Sequence, residues 1–377
     1  MMDFQYNLPV NLIFGRGKAD CVGAVSAKYG KKALVVTGAS STKKSGLLDR
    51  TLASLMSAGV DCTVFDKVTQ NPLTTTVYEA TEIAKENGCD MVIGVGGGSI
   101  MDAAKAAAFC CVNGGDISDY IFGKKQGKGA LPIILLPTTC GTGSEGNQIA
   151  VLTNPDTKDK KALYTMQIMP SASIVDPEVM TTMPKSVLSS VGFDAFTHAL
   201  EAYTSKKANP LTDVQAHLAI KLIAENLPKL MSDYSDMDAW DAVSLAATLG
   251  GMVIGSAGVS AAHGMEHPVS GLKNVVHGRG LAALTPPIVE RLAPALPEKF
   301  AEVSRLLGGK DETDCAESIR KFFRSIELEV NLGELGITHD DVEWLTENCM
   351  KISAGNLKNA PLEFSRGEVA EIYHEAI

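Results

Sequence analysis

The fold of the first half of this chain is decided by the stretch Gly94-Val95-Gly96-Gly97-Gly98-Ser99-Ile100-Met101-Asp102-Ala103-Ala104-Lys105. A buried strand, a glycine turn and the start of a helix follow one another here. Glycines without a Cβ let the backbone approach a phosphate, and the first helical N–H groups with the helix dipole hold its charge. The stretch lacks the Gly-x-Gly-x-x-Gly dinucleotide fingerprint, and a plain tight turn also uses glycine. By itself it is a weak indication of a nucleotide site.

Short apolar runs alternate with helical patterns on both sides of this stretch. We predict strands over residues 33–37, 61–66, 91–95 and 131–136, helices over 44–58, 75–87 and 100–111, and more sheet within 158–175. This βαβ alternation predicts an α/β domain with a Rossmann-like, doubly wound parallel sheet.

After residue 184 the pattern becomes helical. Predicted helices cover residues 186–203, 211–230, 239–254, 259–267, 294–307, 313–325 and 340–349. We therefore predict a dinucleotide-binding α/β domain over residues 1–184 and an all-α, metal-binding and catalytic domain over residues 185–377. The active-site cleft is expected between them.

Composition and charge exclude several function classes. With 377 residues the chain is long enough for two domains, and its 45% hydrophobic and 21% charged residues are typical of a globular protein. A net charge of -10 without any dense basic run argues against nucleic-acid binding. The segment 242–262 carries no charge, but its many small residues favour a buried, closely packed helix pair over a membrane span.

The cysteines and the N-terminus bear on the cellular compartment. The eight cysteines are scattered singly except for Cys110-Cys111, and there is no Cys-x-x-Cys motif. Residues 1–5 carry an acid and lead into no apolar core, so no export signal is visible. Reduced thiols and a cytoplasmic location are expected.

Histidines are concentrated in the segment 192–278. Asp194 and His198 stand four residues apart, as do His263 and His267, which places each pair on one helical face; His277 follows. Any one buried histidine is more often a core group with local hydrogen bonds than a metal ligand. The whole set favours a divalent transition metal, because one carboxylate with three imidazoles forms a ligand shell.

In their identity and order, these residues resemble the signature of the iron-containing (group III) alcohol dehydrogenase family. Its signature has Asp-x-x-x-His, a distant His, and a further His fourteen residues later, and it is matched by Asp194, His198, His263 and His277. The resemblance also covers segments outside the ligands, namely Tyr6-Asn7-Leu8-Pro9, Phe14-Gly15-Arg16-Gly17, Gly96-Gly97-Gly98-Ser99 and Pro137-Thr138-Thr139-Cys140-Gly141-Thr142-Gly143-Ser144-Glu145.

The resemblance implies which residues bind the nicotinamide cofactor. Gly97, Gly98 and Ser99 are expected to contact its phosphates, and Asp102 either lies near the nicotinamide ribose or caps its helix. A hydroxyl- and glycine-rich loop would bind ribose and amide groups. The remaining expected cofactor contacts are Asn71, Thr138, Thr139 and Thr142.

The residues after the strand 33–37 predict a preference for NADP(H) over NAD(H). Many NAD-using relatives carry Asp there, which binds the ribose hydroxyls and repels a 2′-phosphate. This chain has Gly38, while Ser40 and Ser41 offer hydrogen-bond donors and Lys43 or Lys44 offers positive charge. If Gly38 is only a turn residue and the lysines only a solvated helix start, both cofactors would work.

The resemblance also implies a mechanism. The metal would stabilise an alkoxide and polarise an aldehyde, while the cofactor carries the hydride. His267 lies one turn from His263, outside the ligand set, and is expected to relay a proton; packing is the alternative. Fe(II) follows from the family name, and Zn(II) suits the same ligands.

We therefore expect a metal-dependent alcohol dehydrogenase or aldehyde reductase acting on a short-chain primary alcohol or aldehyde with NAD(P)H. A dehydroquinate-synthase-like or glycerol-dehydrogenase-like enzyme of the same fold is the alternative. A non-catalytic metal- or nucleotide-binding protein would not need both an intact cofactor loop and an intact ligand set. Relatives form a homodimer or larger homo-oligomer, and neither nucleic acid nor membrane is an expected partner.

Overall fold

The computed structural model describes residues 4–377 and shows a six-stranded parallel sheet followed by a helical region. Residues 1–3, which belong to the stretch without an export signal, lie outside the described residues. The sheet has the strand order β1-β8-β5-β4-β2-β3. Its strands are β1 Leu12–Phe14, β2 Lys32–Gly38, β3 Asp61–Val68, β4 Met91–Gly96, β5 Ile133–Pro137 and β8 Ala172–Val175. The predicted fold class is confirmed.

Helices cover both faces of the sheet. They are α1 Val22–Ser26, α2 Ser41–Lys44, α3 Leu47–Ser57, α4 Thr74–Glu86, α5 Gly98–Val112, α6 Ile117–Ile121 and α7 Pro177–Met180. Alternate side chains of the central strands enter two different apolar clusters: Val35 and Ile93 face one, Leu34 and Val92 the other. Successive side chains of a strand point to opposite faces, so both faces need cover, as in a doubly wound sheet.

The order of the strands reverses next to β2. From β2 the chain moves outward to β3 and then crosses back to β4 on the other side of β2. In open parallel sheets, ligands bind beyond the carboxyl ends of the strands at such a point. Gly38 ends β2 and Gly96 ends β4, so the predicted nucleotide residues lie at the switch point.

A second, small sheet lies outside the main one. Strands β6 Ile149–Thr153 and β7 Lys160–Tyr164 form an antiparallel hairpin. The additional sheet expected within 158–175 is therefore divided, since β7 belongs to the hairpin and β8 to the main sheet. Leu73 makes a single bridge to Thr153, which ties the hairpin to the start of α4.

The second half of the chain is helical, as predicted. Its helices are α8 Lys185–Thr204, α9 Pro210–Ser232, α10 Met237–Ala257, α11 Ala261–Lys273, α12 His277–Leu292, α13 Pro297–Leu306, α14 Cys315–Ser325, α15 Val342–Ile352, α16 Ala354–Asn359 and α17 Arg366–Ala376. The sequence did not predict α12, α16 or α17. In α12 the reason is that Pro286 and Pro287 read as a helix stop. Both prolines lie inside this helix and are buried.

Helix α10 forms the centre of the helical region. Judged by length and composition alone, it could cross a membrane. However, 67% of its most apolar 18-residue stretch is buried inside the fold, as in the core helix of a globular protein. It packs against α8 and α9 on one side and against the loop after β5 on the other. The segment is buried as predicted, but its closest glycine contact, Gly251 against Gly143, is with the loop after β5 and not within a helix pair.

One apolar cluster joins the two halves of the chain. It begins with side chains from β2, β4, β5 and β8 on one face of the sheet and continues without interruption into α8 to α17. The helices that carry the histidines therefore share one apolar core with the sheet that carries the glycine turn.

Candidate metal centre and cofactor cleft

Three helices bring the four predicted metal ligands together. Asp194 and His198 lie in α8, His263 lies in α11, and His277 is the first residue of α12. The Nε2 atoms of His198, His263 and His277 lie 3.7, 3.4 and 3.7 Å from Oδ1 of Asp194. The rings of His198 and His263 are stacked, with centroids 4.5 Å apart. Residues far apart in sequence thus direct four potential ligand atoms at one point.

The donor atoms at this point fit a divalent transition metal. Oδ1 of Asp194 and Nε2 of His263 are buried and have no hydrogen-bond partner within residues 4–377. Buried polar atoms are normally hydrogen-bonded, so unpaired atoms in a group indicate a missing ligand. Together with His277, they lie within 4.8 Å of one another. A carboxylate and imidazoles at this spacing suit Fe(II) or Zn(II).

Burial and mutual charge shift the pKa values of these groups. Burial, reinforced by His263 and His277, lowers the pKa of His198 to about 4 against the pull of Asp194. Burial also acts on Asp194, but the histidines outweigh it and hold the pKa of that carboxyl well below its usual range. Asp194 is thus ionised and His198 neutral near pH 7, the protonation states that metal binding requires.

Two buried carboxylates that the sequence analysis missed contact the outer nitrogens of two ligands. Oε2 of Glu201 lies 2.6 Å from Nδ1 of His263, and Oε2 of Glu266 contacts Nδ1 of His277. Burial lowers the pKa of His263, but Glu201 and Asp194 outweigh it and raise it to about 9. The sequence did contain a signal, because Glu201 follows His198 by three residues and Glu266 follows His263 by three, so each faces the same side of its helix.

His267 lies beside the ligands. Its ring centroid is 6.1 Å from that of His263 and 5.8 Å from that of His277, and the side chain is buried. Burial, with the nearby Lys160, places its pKa well below the usual value, so the ring is neutral at pH 7. Within residues 4–377 we find no hydrogen bond to this ring, which leaves its nitrogens free to exchange a proton.

The glycine turn and the threonine loop are in direct contact. A Cβ on Gly98 would lie 2.2 Å from Cγ2 of Thr142, and one on Gly97 would lie 3.1 Å from Oγ1 of Thr139. No larger residue fits at Gly98, so the backbone stays open at the start of α5, where the first N–H groups have no partner within the helix. Partly exposed Ser99 lies beside them. This arrangement fits the diphosphate of a dinucleotide.

Thr138, at the end of the neighbouring strand β5, lies next to this candidate phosphate site. Its N–H donates to the carbonyl of Gly96 at 3.1 Å, and its side chain is half-buried. The structure therefore brings together the predicted phosphate-binding and amide-binding residues at the carboxyl ends of β4 and β5.

Asp102 is turned into the protein. Its carboxylate accepts hydrogen bonds from Oγ of Ser144 at 2.7 Å and from the N–H of Val151 at 2.9 Å. The interpretation of Asp102 as a helix cap is wrong, because it lies inside α5 and contacts the next loop and the hairpin instead. Wholly buried Lys105, one turn later, donates to Asn147 and to the carbonyl of Ile149. The pair anchors the segment that follows Thr142.

The residues expected near the adenosine end lie at the edge of the cleft. Gly38 is buried at the end of β2, while Ser40 and Ser41 are exposed at the start of α2. Lys43 forms an ion pair with Asp66. Lys44 is exposed and pairs with no acid in the described part of the chain.

Asn71 connects the two halves. Its amide donates to Oδ1 of Asn274 at 2.9 Å and to the carbonyl of Val275 at 3.2 Å. It has a left-handed backbone with a φ of 49°. The loop after β3 is thereby fixed to the segment that leads into His277, so Asn71 is bonded to protein whether or not it also contacts the cofactor.

Comparison with known proteins identifies the family. The model of the iron-containing alcohol dehydrogenases matches residues 9–177, and that of the C-terminal part of the Fe-containing alcohol dehydrogenase family matches residues 189–377. The 1,3-propanediol dehydrogenase of Citrobacter freundii is 35% identical over 383 residues, covering 99% of this chain and 98% of the relative. The NAD-dependent methanol dehydrogenase of Bacillus methanolicus is 33% identical over 356 residues, covering 92% and 93%.

Solved structures agree with this result. An archaeal halo-thermophilic alcohol dehydrogenase from a Red Sea brine pool superposes with a TM-score of 0.95 at 33% identity, covering 100% of both chains. The predicted reaction class, hydride transfer between a nicotinamide cofactor and an alcohol or aldehyde, is confirmed by these relatives. The chain belongs to the iron-containing alcohol dehydrogenase family and is an oxidoreductase of the NAD(P)-dependent alcohol dehydrogenase class.

Proposed function

We propose that this alcohol dehydrogenase oxidises short-chain primary alcohols and reduces the corresponding aldehydes. Asp194, His198, His263 and His277 hold a divalent metal in this proposal. The observation that carries it is the convergence of three imidazole Nε2 atoms on one oxygen of Asp194. The helices that carry these atoms share one apolar core with the sheet whose strand ends carry the proposed phosphate-binding residues, as hydride transfer at a cleft between the two halves requires.

Different groups of the site have different roles in the proposed reaction. When bound, the metal would act as a Lewis acid that stabilises negative charge on the substrate oxygen. The N–H groups near Gly97, Gly98 and Ser99 hold the cofactor phosphates, and the threonines of the adjacent loop orient the nicotinamide. His267 accepts or returns the proton of the substrate hydroxyl, since its neutral ring has no competing hydrogen bond in the described residues.

The cofactor is proposed to be NADP(H) in preference to NAD(H). A Cβ on Gly38 would be 3.5 Å from the carbonyl oxygen of Val68 and 3.8 Å from Ile100, so the position has room and carries no negative charge. Ser40 and Ser41 lie beside it, and Lys44 provides the free positive charge because Lys43 is paired. Fe(II) is proposed as the metal, with Zn(II) able to occupy the same ligands.

The substrate is proposed to be small and linear. The relatives named above are described as acting on 1,3-propanediol and methanol. Half-buried Ile149 and Val151 lie on the hairpin that Asp102 and Lys105 anchor, close to the cofactor loop. These side chains give an apolar wall to the cleft, which suits a short alkyl chain.

Domain division, assembly and location are further parts of the proposal. The boundary is placed between residues 184 and 185, where the loop after α7 meets α8, and the cleft lies between a cofactor domain and a metal domain. The protein is proposed to be a cytoplasmic homodimer or larger homo-oligomer, without a nucleic-acid or membrane partner.

The test follows the near-ultraviolet absorbance of the reduced nicotinamide. Short aldehydes or dihydroxyacetone are offered with NADPH or NADH, and glycerol is offered with NADP⁺ or NAD⁺, to the Fe(II)- and Zn(II)-loaded protein. Oxidation of the cofactor by short aldehydes supports the proposal. Turnover restricted to glycerol or dihydroxyacetone would favour a glycerol-dehydrogenase-like enzyme. Absence of turnover with every aldehyde, although metal and cofactor bind, would contradict it.

A further inference from the structure

Glu266 is a buried carboxylate beside the candidate metal centre that is not one of the four proposed ligands. It lies in α11 and is fully buried. Its Oε2 contacts Nδ1 of His277, and its Oε1 accepts a hydrogen bond from the hydroxyl of Ser270. A Cβ on Gly280 would lie 2.8 Å from Oε1, so the glycine leaves the space that the carboxylate occupies. Oε1 is thus held by a hydrogen bond, and Oε2 by ion-pair contacts with His277 and Lys160.

We propose that Glu266 is a positioning residue that fixes His277 with Nδ1–H toward its carboxylate and Nε2 toward the metal. This inference rests on the proposed ligand set. When one imidazole nitrogen donates to a carboxylate, the other carries the lone pair that a metal needs. The geometry agrees, since Nε2 of His277 is the atom that lies 3.7 Å from Asp194.

The same arrangement occurs a second time in the site. Nδ1 of His263 lies 2.6 Å from Oε2 of Glu201, and Nε2 of His263 lies 3.4 Å from Oδ1 of Asp194. The two carboxylates come from different helices and hold different histidines. Two independent pairs with the same orientation indicate a function in ligand alignment.

A second metal ion is the competing explanation. Glu266, His267 and His277 offer ligand atoms within 4.8 Å of one another. Buried Lys160 argues against an ion there, because its Nζ lies 3.6 Å from Oε2 of Glu266 and 3.4 Å from Nδ1 of His277. The ammonium already neutralises the carboxylate, and a further cation at that distance would be repelled in a site with little water. Glu266 therefore serves the ligand His277.

The experiment measures metal binding to the metal-free full chain in the absence of cofactor. Co²⁺ and Zn²⁺ are titrated against a chromophoric chelator, which gives both the affinity and the number of ions per chain. Glu266→Ala is expected to weaken the affinity about 10- to 100-fold with one ion bound per chain, and Glu266→Gln, which keeps a neutral acceptor, to restore part of it. The control Glu334→Ala removes an exposed acid and should change neither quantity.

The visible spectrum of bound Co²⁺ provides a readout independent of turnover. Glu266→Ala should alter its bands, because His277 is free to rotate, and Glu334→Ala should not. Circular dichroism of the metal-free variants checks folding. If Glu266→Ala does not fold, Glu266→Gln, which keeps the size of the side chain, carries the test with the same expected direction.

A double-mutant cycle decides whether Glu266 acts through His277. In a His277→Ala background, Glu266→Ala should weaken metal binding little further, because the ligand that it aligns is gone. Independent effects of the two substitutions would overturn the proposal. Two ions per wild-type chain, one of them lost in Glu266→Ala, would overturn it in favour of a second metal. Unchanged affinity in His277→Ala alone would instead overturn the proposed ligand set.

Discussion

Gly251 in α10 touches the backbone of Gly143 in the cofactor loop so closely that a Cβ on Gly251 would lie 1.9 Å from the Gly143 carbonyl oxygen. The amide of Asn147 also donates to the carbonyl of Gly251 at 3.1 Å. The loop that carries Thr142 therefore packs directly against the central helix of the half that carries the proposed metal ligands. We expect the distance between the proposed cofactor loop and the proposed metal ligands to depend on this contact.

Gly251→Ala is expected to lower the free energy of unfolding by about 1–3 kcal/mol. The added methyl group would clash with the backbone of Gly143, which can move away only by displacing the loop. The substitution should also raise KM for the cofactor, since the loop is displaced. Denaturant unfolding and steady-state kinetics measure the two effects. Gly355→Ala is the matched control, because a Cβ there meets nothing within 4 Å. Equal behaviour of the two variants would contradict the proposed role of the contact.

His263→Ala should lose most of the bound metal and most of the turnover while the protein stays folded. The substitution removes one of the converging imidazole nitrogens and leaves Oε2 of Glu201 without its histidine partner, while Oε1 keeps its hydrogen bonds from Ser260 and Ala262. Elemental analysis of the purified variant, with circular dichroism as a folding control, measures this. Full metal occupancy with normal turnover would remove His263 from the ligand set.

His267→Ala should keep the metal but lower the turnover rate roughly 10²- to 10⁴-fold if the ring relays a proton. Burial and Lys160 lower the pKa of His267, so the neutral, proton-accepting form persists to acidic pH. The wild-type rate should fall on the acid side as the ring gains its proton, and the variant should lack this inflection. His374→Ala, at an exposed histidine, is the control. An unchanged pH–rate profile would leave His267 a packing residue.

Gly38→Asp should shift the cofactor preference toward NAD(H) by about 1–3 kcal/mol, roughly ten- to a hundredfold in the ratio of kcat/KM values. The new carboxylate would bind the ribose hydroxyls and repel a 2′-phosphate. Gly38→Asn, nearly equal in size but uncharged, separates charge from bulk. A wild type that already prefers NAD(H), or a ratio that Gly38→Asp leaves unchanged, would show that this position does not set the preference.

The four proposed ligands could be singled out from the sequence because a carboxylate and imidazoles at helical spacing are rare and the family signature connects the distant histidines. Asp194 and His198 lie one helical turn apart in the sequence as well as in the structure. The turn between β4 and α5 could also be predicted, because it is marked by consecutive glycines. The structure shows why Gly98 is needed there: its close approach to Thr142 leaves no room for a Cβ. Helix α12 was missed because two prolines normally end a helix, while here the surrounding helices bury them.

Lys160 could not have been predicted from the sequence. It comes from the hairpin in the first half of the chain and reaches His277 through tertiary packing alone, so no local spacing connects them. Glu266 lies between His263 and His267 in sequence, yet only the fold shows that its partner is His277. Sequence periodicity reveals which side chains share a helix face, but not which helix that face meets.

The proposed ligands lie on three helices joined by long stretches of chain, so only the folded protein brings them together, and the free energy of metal binding is added to the free energy of folding. A metal that binds only the folded protein stabilises it by an amount that rises with the logarithm of the free metal concentration. We expect unfolded chains to accumulate in cells starved of iron and to be degraded by proteases, so that the amount of enzyme follows the availability of its metal.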